Sequence, residues 1–227
     1  DKVEKYFFSS SACAYNKTKQ QKVFIEGLKE EDAYPADPED GYGWEKLFSE
    51  RMCRHFMEDY GIQVRVARYH NIYGPYGTYD GGREKAPAAL CRKVLTAKKN
   101  NDNKIQVWGD GKQTRTFLYI DDCVEGTLRL FESDYSDPVN IGSDEQVSIN
   151  QMIDIIEKIS GIEKLDREYQ LDKPKGVRGR SSNNELVKNV LNWSYGIKLK
   201  DGLTKTYNWI DSESSKEGSN LSRFIKS

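Results

Sequence analysis

Histidine and cysteine are scarce in this chain, net charge is nearly nil, and long apolar runs are missing. Of 227 residues only two are histidines, His55 and His70, and four are cysteines, at Cys13, Cys53, Cys91 and Cys123. No two cysteines form a Cys-x-x-Cys pair, so the spacing gives no zinc site. A disulfide framework is not expected in a chain of this size without secretory signals. The 35 basic residues nearly cancel the 36 acidic ones, which argues against an electrostatic grip on bulk nucleic acid or on a membrane. No apolar run approaches the roughly 20 residues that span a bilayer. No signal-peptide pattern opens the chain, so a cytoplasmic location is expected.

What is present suits an α/β domain. Fourteen tyrosines and a mixed charge pattern exclude disorder over most of the length. The length allows one sizeable core, or one and a half smaller units. Tyr6-Phe7-Phe8 reads as a buried strand that begins almost at once, as if the chain were cut in the middle of a fold. Val3 to Tyr15 suits a parallel strand leading into a loop. Gly41 to Tyr60 reads as a helix, with Trp44, Phe48, Met52 and Phe56 as its buried stripe and Gly61 placed to end it. Ile62 to Val66 alternates like a strand, so helix, glycine and strand make half of a βαβ crossover.

Further along, Ala86 to Lys99 reads as a helix and Ile105 to Trp108 as a strand. Thr114 to Tyr119 reads as one strand, with Asp121 capping a helix that runs to about Phe131. Val139 to Gly142 is a brief strand. Ser148 and Gln151 form a capping box before a helix closed by Gly161. Shorter helices are expected near Asn184 to Leu191 and Asp201 to Ser212, and the polar last dozen residues are expected to fray.

Two features carry chemistry. Tyr42 and Lys46 stand four apart on the expected helix, so phenol and ammonium share one face. A nearby cation favours the phenolate, which equips Tyr42 to exchange a proton with a sugar hydroxyl. Ser9-Ser10-Ser11-Ala12-Cys13 sits at the end of an apolar strand, where ligands of open α/β sheets bind, and Ser11 can hydrogen-bond the same oxygen.

This Ser–Tyr–Lys arrangement resembles the triad of short-chain dehydrogenases/reductases. Arg68-Tyr69-His70-Asn71-Ile72-Tyr73-Gly74-Pro75 is similar to a signature of the extended branch. So is the later segment Thr114 to Asp122. Gly81-Gly82-Arg83-Glu84-Lys85-Ala86-Pro87-Ala88-Ala89, Trp108-Gly109-Asp110-Gly111, Val139 to Glu145 and Gly176-Val177-Arg178-Gly179-Arg180 resemble the GDP-mannose 3,5-epimerases within that branch. The resemblance covers the chain to about Asp211.

The resemblance implies NAD as cofactor, held in part by Tyr42 and Lys46. It implies GDP-mannose or a related nucleotide sugar as substrate, oxidised at carbon 4 to a ketone, inverted at carbons 3 and 5 and released as GDP-L-galactose. Cys13 and Lys85 match the acid/base pair of inversion; a thiol and a desolvated lysine both have proton affinities that the surroundings can tune. Ser11, Ala12, Cys13, Asn71, Glu84, Lys85 and Ala86 match substrate-binding positions. Lys93, Arg115 and Arg178 match contacts to the GDP moiety, with Gln113 nearby. A homodimer is implied for the whole enzyme. His70 reads as a structural side chain rather than a base.

Residues 1–70 are then expected to complete the back half of a Rossmann-type parallel sheet, and residues 71–227 to form mainly a smaller α/β substrate-binding lobe, with possible return segments to the sheet. The pattern departs from the family in one respect. No Gly-x-x-Gly-x-x-Gly loop, and no following acidic residue for the adenosine ribose, lies within the 227 residues, so this fragment is expected to be inactive alone. Two alternatives stand beside this reading. One is another epimerase or dehydratase of the family, although Ala12-Cys13 replaces the Asp-Glu expected of a dehydratase. The other is a non-catalytic module that binds a nucleotide sugar or a partner subunit.

Overall fold

A computed structural model describes residues 3–174 and 176–216; the polar tail expected to fray lies outside the described residues. In chain order its elements are β1 (Lys5–Ser11), α1 (Gly41–Tyr60), β2 (Gln63–Tyr69), α2 (Ala86–Asn100), β3 (Lys104–Trp108) and α3 (Ile120–Glu132). There follow β4 (Val139–Ile141), α4 (Ile149–Ser160), β5 (Asp166–Gln170), α5 (Glu185–Leu191) and α6 (Leu199–Ser214). The chain divides into two compact units, one made of Asp1–Ile72, Thr114–Gln146 and Val177–Gly196, the other of Tyr73–Gln113, Val147–Gly176 and Ile197–Ser227.

The first unit is built on a parallel sheet in the order β1-β2-β4. Lys5 pairs with Gln63 and Ser11 with Tyr69 along β1 and β2, while Ala67 to Tyr69 pair with Val139 to Ile141 of β4. Parallel neighbours need a crossover, and α1 supplies it between β1 and β2. Central strand β2 buries both faces. Val64 and Val66 pack with Cys53 of α1. Ala67, one register over, packs with Leu118, Leu130, Ile141, Val187 and Trp193. Each such fully buried aliphatic side chain contributes about 1.5–3 kcal/mol to the fold.

Helix α1 spans the residues its sequence predicts. Asp40 caps it by accepting from the Gly43 N–H at 2.8 Å, and Gly61 ends it in a left-handed turn at φ 69°. Its buried face is a correction to the sequence reading. Gly43, Leu47, Glu50 and Cys53 point inward, whereas Trp44, Phe48, Met52 and Phe56 are exposed. The inward face meets a tight turn and a buried ion pair, which take small and polar side chains rather than large apolar ones. Strand β1 is an edge strand among the described residues: Tyr6 is exposed and Phe7 and Phe8 are half-buried, not buried as expected. The expected strand at 114–119 is two short ones, Thr114–Arg115 and Leu118–Tyr119. Helix α3 begins at Ile120 with Tyr119 at its cap position, so Asp121 lies in the first turn instead of capping it.

The second unit packs α2, α4 and α6 against one another. Leu90, Val94, Met152, Ile153, Ile156, Leu203 and Ile210 are among the buried apolar residues on those helices. Parallel strands β3 and β5 pair from Lys104↔Asp166 to Trp108↔Gln170. The expected capping box starts α4: Ser148 Oγ accepts from Gln151 N at 3.1 Å, and Ser148 N donates to Gln151 Oε1 at 2.8 Å. Arg167 of β5 reaches Asp154 and Glu157 of α4 at 2.7 and 2.8 Å.

Candidate active site

The carboxyl end of β1 runs into a 3-10 turn, Ala12–Ala14, whose first N–H groups need acceptors. Ser11 supplies one, its Oγ accepting from Cys13 N at 3.1 Å and keeping its own hydroxyl hydrogen to donate. The N-terminus of α1 packs directly on this turn. A Cβ at Gly43 would stand 2.3 Å from the Cys13 carbonyl oxygen and 2.8 Å from Pro38 Cβ, so only glycine permits the approach. Tyr42 and Lys46 flank that contact. Lys46 Nζ lies 5.4 Å from the Tyr42 ring centroid and 5.1 Å from that of Phe8. Lys46 is half-buried and Tyr42 is 51% exposed. The turn thus brings Ser11 and Cys13 to the end of the helix that carries the phenol and the ammonium.

A buried polar network fixes this end of the sheet. Glu50, on the inner face of α1, accepts from Arg68 Nε at 2.9 Å, from Arg68 Nη2 at 2.7 Å and from Ser10 Oγ at 2.5 Å. Burial opposes the Arg68 charge, but Glu50 and Tyr15 together outweigh it and hold the guanidinium above its ordinary value. Arg68 also donates to the Glu30 carbonyl at 2.7 Å and lies over the Tyr15 ring. Tyr15 Oη and His70 Nε2 share Asn140 Oδ1 at 2.6 and 2.9 Å. His70 is fully buried in this network, as its structural reading requires.

Three basic residues lie on or next to the paired strands Thr114–Arg115 and Gly179–Arg180. Arg180 Nη1 donates to Cys13 Sγ at 3.3 Å and its Nε to Gln20 Oε1 at 2.6 Å. Arg115, pairing across Thr114–Arg115 and Gly179–Arg180, donates to the Thr114 and Val177 carbonyls at 2.7 Å each. Burial, and then the like charge of Arg180, push its guanidinium below its ordinary value. Arg178 is half-buried, with its backbone N donating to Gln20 O at 2.9 Å. Asn71 adopts a left-handed φ of 48° and spends one amide hydrogen on the Thr116 carbonyl at 2.9 Å.

The other expected residues lie in the second unit. Glu84 accepts from Arg92 Nη2 at 3.0 Å and from Gly82 N at 2.7 Å. Burial works against its carboxylate, but the backbone N–H donors and Arg92 hold it below the ordinary carboxylate value. Lys85 is exposed at the N-cap of α2, followed by half-buried Ala86 and by Pro87 in the first turn. Lys93 donates to the Gln106 carbonyl at 2.9 Å, and burial, then Arg92, lower its ammonium's proton affinity. Gln113 donates to the Trp108 carbonyl at 3.0 Å, while its buried Oε1 has no hydrogen-bond partner among the described residues.

Sequence reasoning missed Glu50, Gln20 and the contact of Arg180. Glu50 carried a faint signal, since it sits one helical turn beyond Lys46 on the side of Leu47 and Cys53. Nothing local marks Gln20 or Arg180, which meet across 160 residues.

Parallel strands that end beside a helix-borne Tyr–Lys pair equip an α/β protein to handle a hydroxyl and a nucleotide cofactor. The chain belongs to the NAD dependent epimerase/dehydratase family, whose model matches residues 1–142. It is 52% identical over 218 residues to GDP-mannose 3,5-epimerase 1 of Oryza sativa subsp. indica, covering 95% of this chain and 55% of that protein. It is 49% identical over 225 residues to GDP-mannose 3,5-epimerase of Arabidopsis thaliana, covering 98% and 58%. The chain therefore spans little more than half the length of these curated relatives. UDP-glucuronic acid 4-epimerase from Bacillus cereus, solved with UDP-glucuronic acid and NAD, superposes with a TM-score of 0.77 at 26% identity, covering 93% of this chain and 63% of that one. The fold is Rossmann-type.

The residues present fit part of an NAD molecule. A phenol and an ammonium with three N–H groups suit the hydroxyls of a ribose. A pyrophosphate calls for a glycine-rich loop at a helix N-terminus, and no glycine cluster in these 227 residues has that spacing.

Proposed function

We propose that the natural polypeptide carrying this chain epimerises GDP-mannose at carbons 3 and 5, using NAD and releasing GDP-L-galactose. The observation that carries the reading is the seating of Cys13 in the turn on which the Tyr42–Lys46 helix packs. A 4-epimerase needs the phenol–ammonium pair alone; a thiol beside it adds a group able to move a carbon-bound proton. The identity to two GDP-mannose 3,5-epimerases over nearly the whole chain supports the same substrate.

Bound NAD supplies the acceptor, and later the donor, of the hydride at carbon 4. Tyr42 takes the carbon-4 hydroxyl proton and returns it at the end, and Lys46 stabilises the phenolate between those events. Ser11 donates its free hydroxyl hydrogen to the same sugar oxygen. Cys13 and Lys85 form the acid/base pair: at each inverted carbon one removes a proton from one ring face and the other delivers a proton to the opposite face. The role of Lys85 rests on the sequence resemblance. Ala12, Asn71, Glu84 and Ala86 bind the sugar, and Arg115, Arg178, Lys93 and Gln113 bind the GDP moiety, where guanidinium forks suit phosphate oxygens.

In this reading the first unit is the dinucleotide-binding part and the second the nucleotide-sugar lobe. The isolated chain does not turn over, because a pyrophosphate loop is required. The whole enzyme is a homodimer, which the exposed Trp44–Phe48–Met52–Phe56 stripe supports. Cytoplasmic residence goes with it, as four free thiols suit a reducing compartment; among the described residues no helix is long and apolar enough to cross a membrane.

The test is deuterium incorporation from heavy water into GDP-mannose by the natural polypeptide. Label should enter at carbons 3 and 5. Cys13→Ala and Lys85→Ala should abolish it, and Cys13→Ser should slow it by a factor of about 100 or more. Exchange at the unmodified rate in both alanine variants would make these residues structural and favour a 4-epimerase.

A further inference from the structure

The geometry points to Arg180 as a positioning residue for Cys13: its guanidinium holds the thiol sulfur in place and stabilises negative charge on it. This rests on the reading of Cys13 as a proton-transfer group, which has no counterpart yet to hold it. Arg180 is 7% exposed, and among the described residues its side-chain hydrogen-bond partners are Gln20 Oε1 at 2.6 Å and Cys13 Sγ at 3.3 Å. Neither is a carboxylate. A buried cation is costly unless a negative charge faces it, and of these two partners the one able to carry such a charge is the Cys13 sulfur. Nearby Arg115, itself beside Arg180 and Cys13, adds positive charge, while Glu39 acts on Arg115.

The placement is not incidental to a loose loop. Gln20 is 1% exposed and lies within hydrogen-bond reach of the Tyr15 and Asn16 carbonyls. The Arg180 segment is pinned along the 20–28 loop by Arg178 N to Gln20 O at 2.9 Å, Leu28 N to Ser181 O at 2.9 Å and Asn183 N to Leu28 O at 3.1 Å. A Cβ at Gly179 would lie 2.3 Å from the Lys22 carbonyl oxygen, so this approach too requires glycine. Ser11 fixes the Cys13 backbone and Arg180 the sulfur, so the thiol is held from both ends.

The experiment is alkylation of the 227-residue chain with iodoacetamide at neutral pH, followed by peptide mass spectrometry. Cys53, Cys91 and Cys123 are buried, so Cys13 should label first. Arg180→Met should slow Cys13 labelling by about tenfold, because reactivity follows the thiolate. Arg180→Lys should recover part of the rate. Gln20→Glu, nearly isosteric, gives Arg180 a carboxylate partner and should also slow labelling. Fast labelling of Cys123 in any variant marks loss of folding, in which case Gln20→Glu decides. Wild-type Cys13 rates in folded Arg180→Met, or in Gln20→Glu, would overturn the proposal. Since no nucleotide is present, this result is independent of whether Cys13 acts at carbons 3 and 5, which the deuterium experiment reads.

Discussion

Replacing Glu50 by glutamine keeps the size of the side chain and removes one charge from a fully enclosed ion pair of the first unit. Arg68 and Glu50 have side chains 3% and 4% exposed and meet through two hydrogen bonds of 2.7 and 2.9 Å. After the change, the Arg68 guanidinium faces an amide whose NH2 group cannot accept, and its other contacts are the Glu30 carbonyl and the Tyr15 ring. Stranding one partner of a buried pair costs about 3–5 kcal/mol. With a urea dependence of about 2 kcal/mol per molar, the midpoint should fall by roughly 1.5–2.5 M. The measurement is urea unfolding followed by Trp193 fluorescence, in a background where Trp44, Trp108 and Trp209 are phenylalanine. Trp193 is 3% exposed in the core of the same unit, so it reports the right transition. Arg68→Met with Glu50→Leu should recover much of the loss, since an apolar pair of similar volume needs no desolvation. The exposed Arg54–Glu58 pair is the control and should barely register when broken. A midpoint within about 0.5 M of the parent for Glu50→Gln would refute the assignment of this pair as the anchor between α1 and β2.

Tyr42→Phe in the natural polypeptide keeps the ring and should abolish transient NADH absorbance; unchanged NADH formation would remove Tyr42 from the redox step. Gly43→Ala should push α1 off the Ala12–Ala14 turn and destabilise by about 1–3 kcal/mol, with altered Cys13 alkylation as the local readout; a fully wild-type variant would contradict the close approach. His70 titrates at about 3, chiefly because it is buried, with Arg180 and Arg68 acting in the same direction against its bond to Asn140. Its folded value lies below its unfolded one, so the stability of neutral His70 is complete above about pH 6.5 and is lost as pH falls towards 3, by up to roughly 1.4 kcal/mol per pH unit. His70→Gln should flatten that acid limb in urea titrations, and a limb parallel to the parent's would refute the linkage.

The local parts of this fold were legible because their causes are local. Gly61 marks the end of α1 by capping chemistry, Ser148 and Gln151 mark the start of α4, and a four-residue spacing puts Tyr42 and Lys46 on one face. The buried face of α1 was misread because periodicity counts apolar residues and is blind to what the helix meets. Here it meets a backbone turn and Arg68, and these select Gly43 and Glu50 over Trp44 and Phe48. The hold of Arg180 on Cys13 was invisible for a different reason. It depends on the 20–28 loop pairing with the 178–183 segment, a non-local match that no window of sequence contains. The split of Thr114 to Tyr119 likewise follows from partners far along the chain, Arg180 O for Thr116 N and Asn71 O for Leu118 N.

The first unit takes its residues from three separate stretches of chain, the last of them Val177–Gly196. During synthesis the polypeptide emerges from its amino end, so the Ser11–Cys13 turn and the Tyr42–Lys46 helix are made long before their last supports. Val187, Leu191 and Trp193, which close the core behind β2 and β4, arrive only with that third stretch, and so does Arg180. Until then the nascent sheet has one face open and Cys13 is a thiol without its guanidinium. Completion of the candidate site thereby waits until synthesis has passed Arg180, and a chain stopped just before it would display the site's signature residues without the group that holds its sulfur.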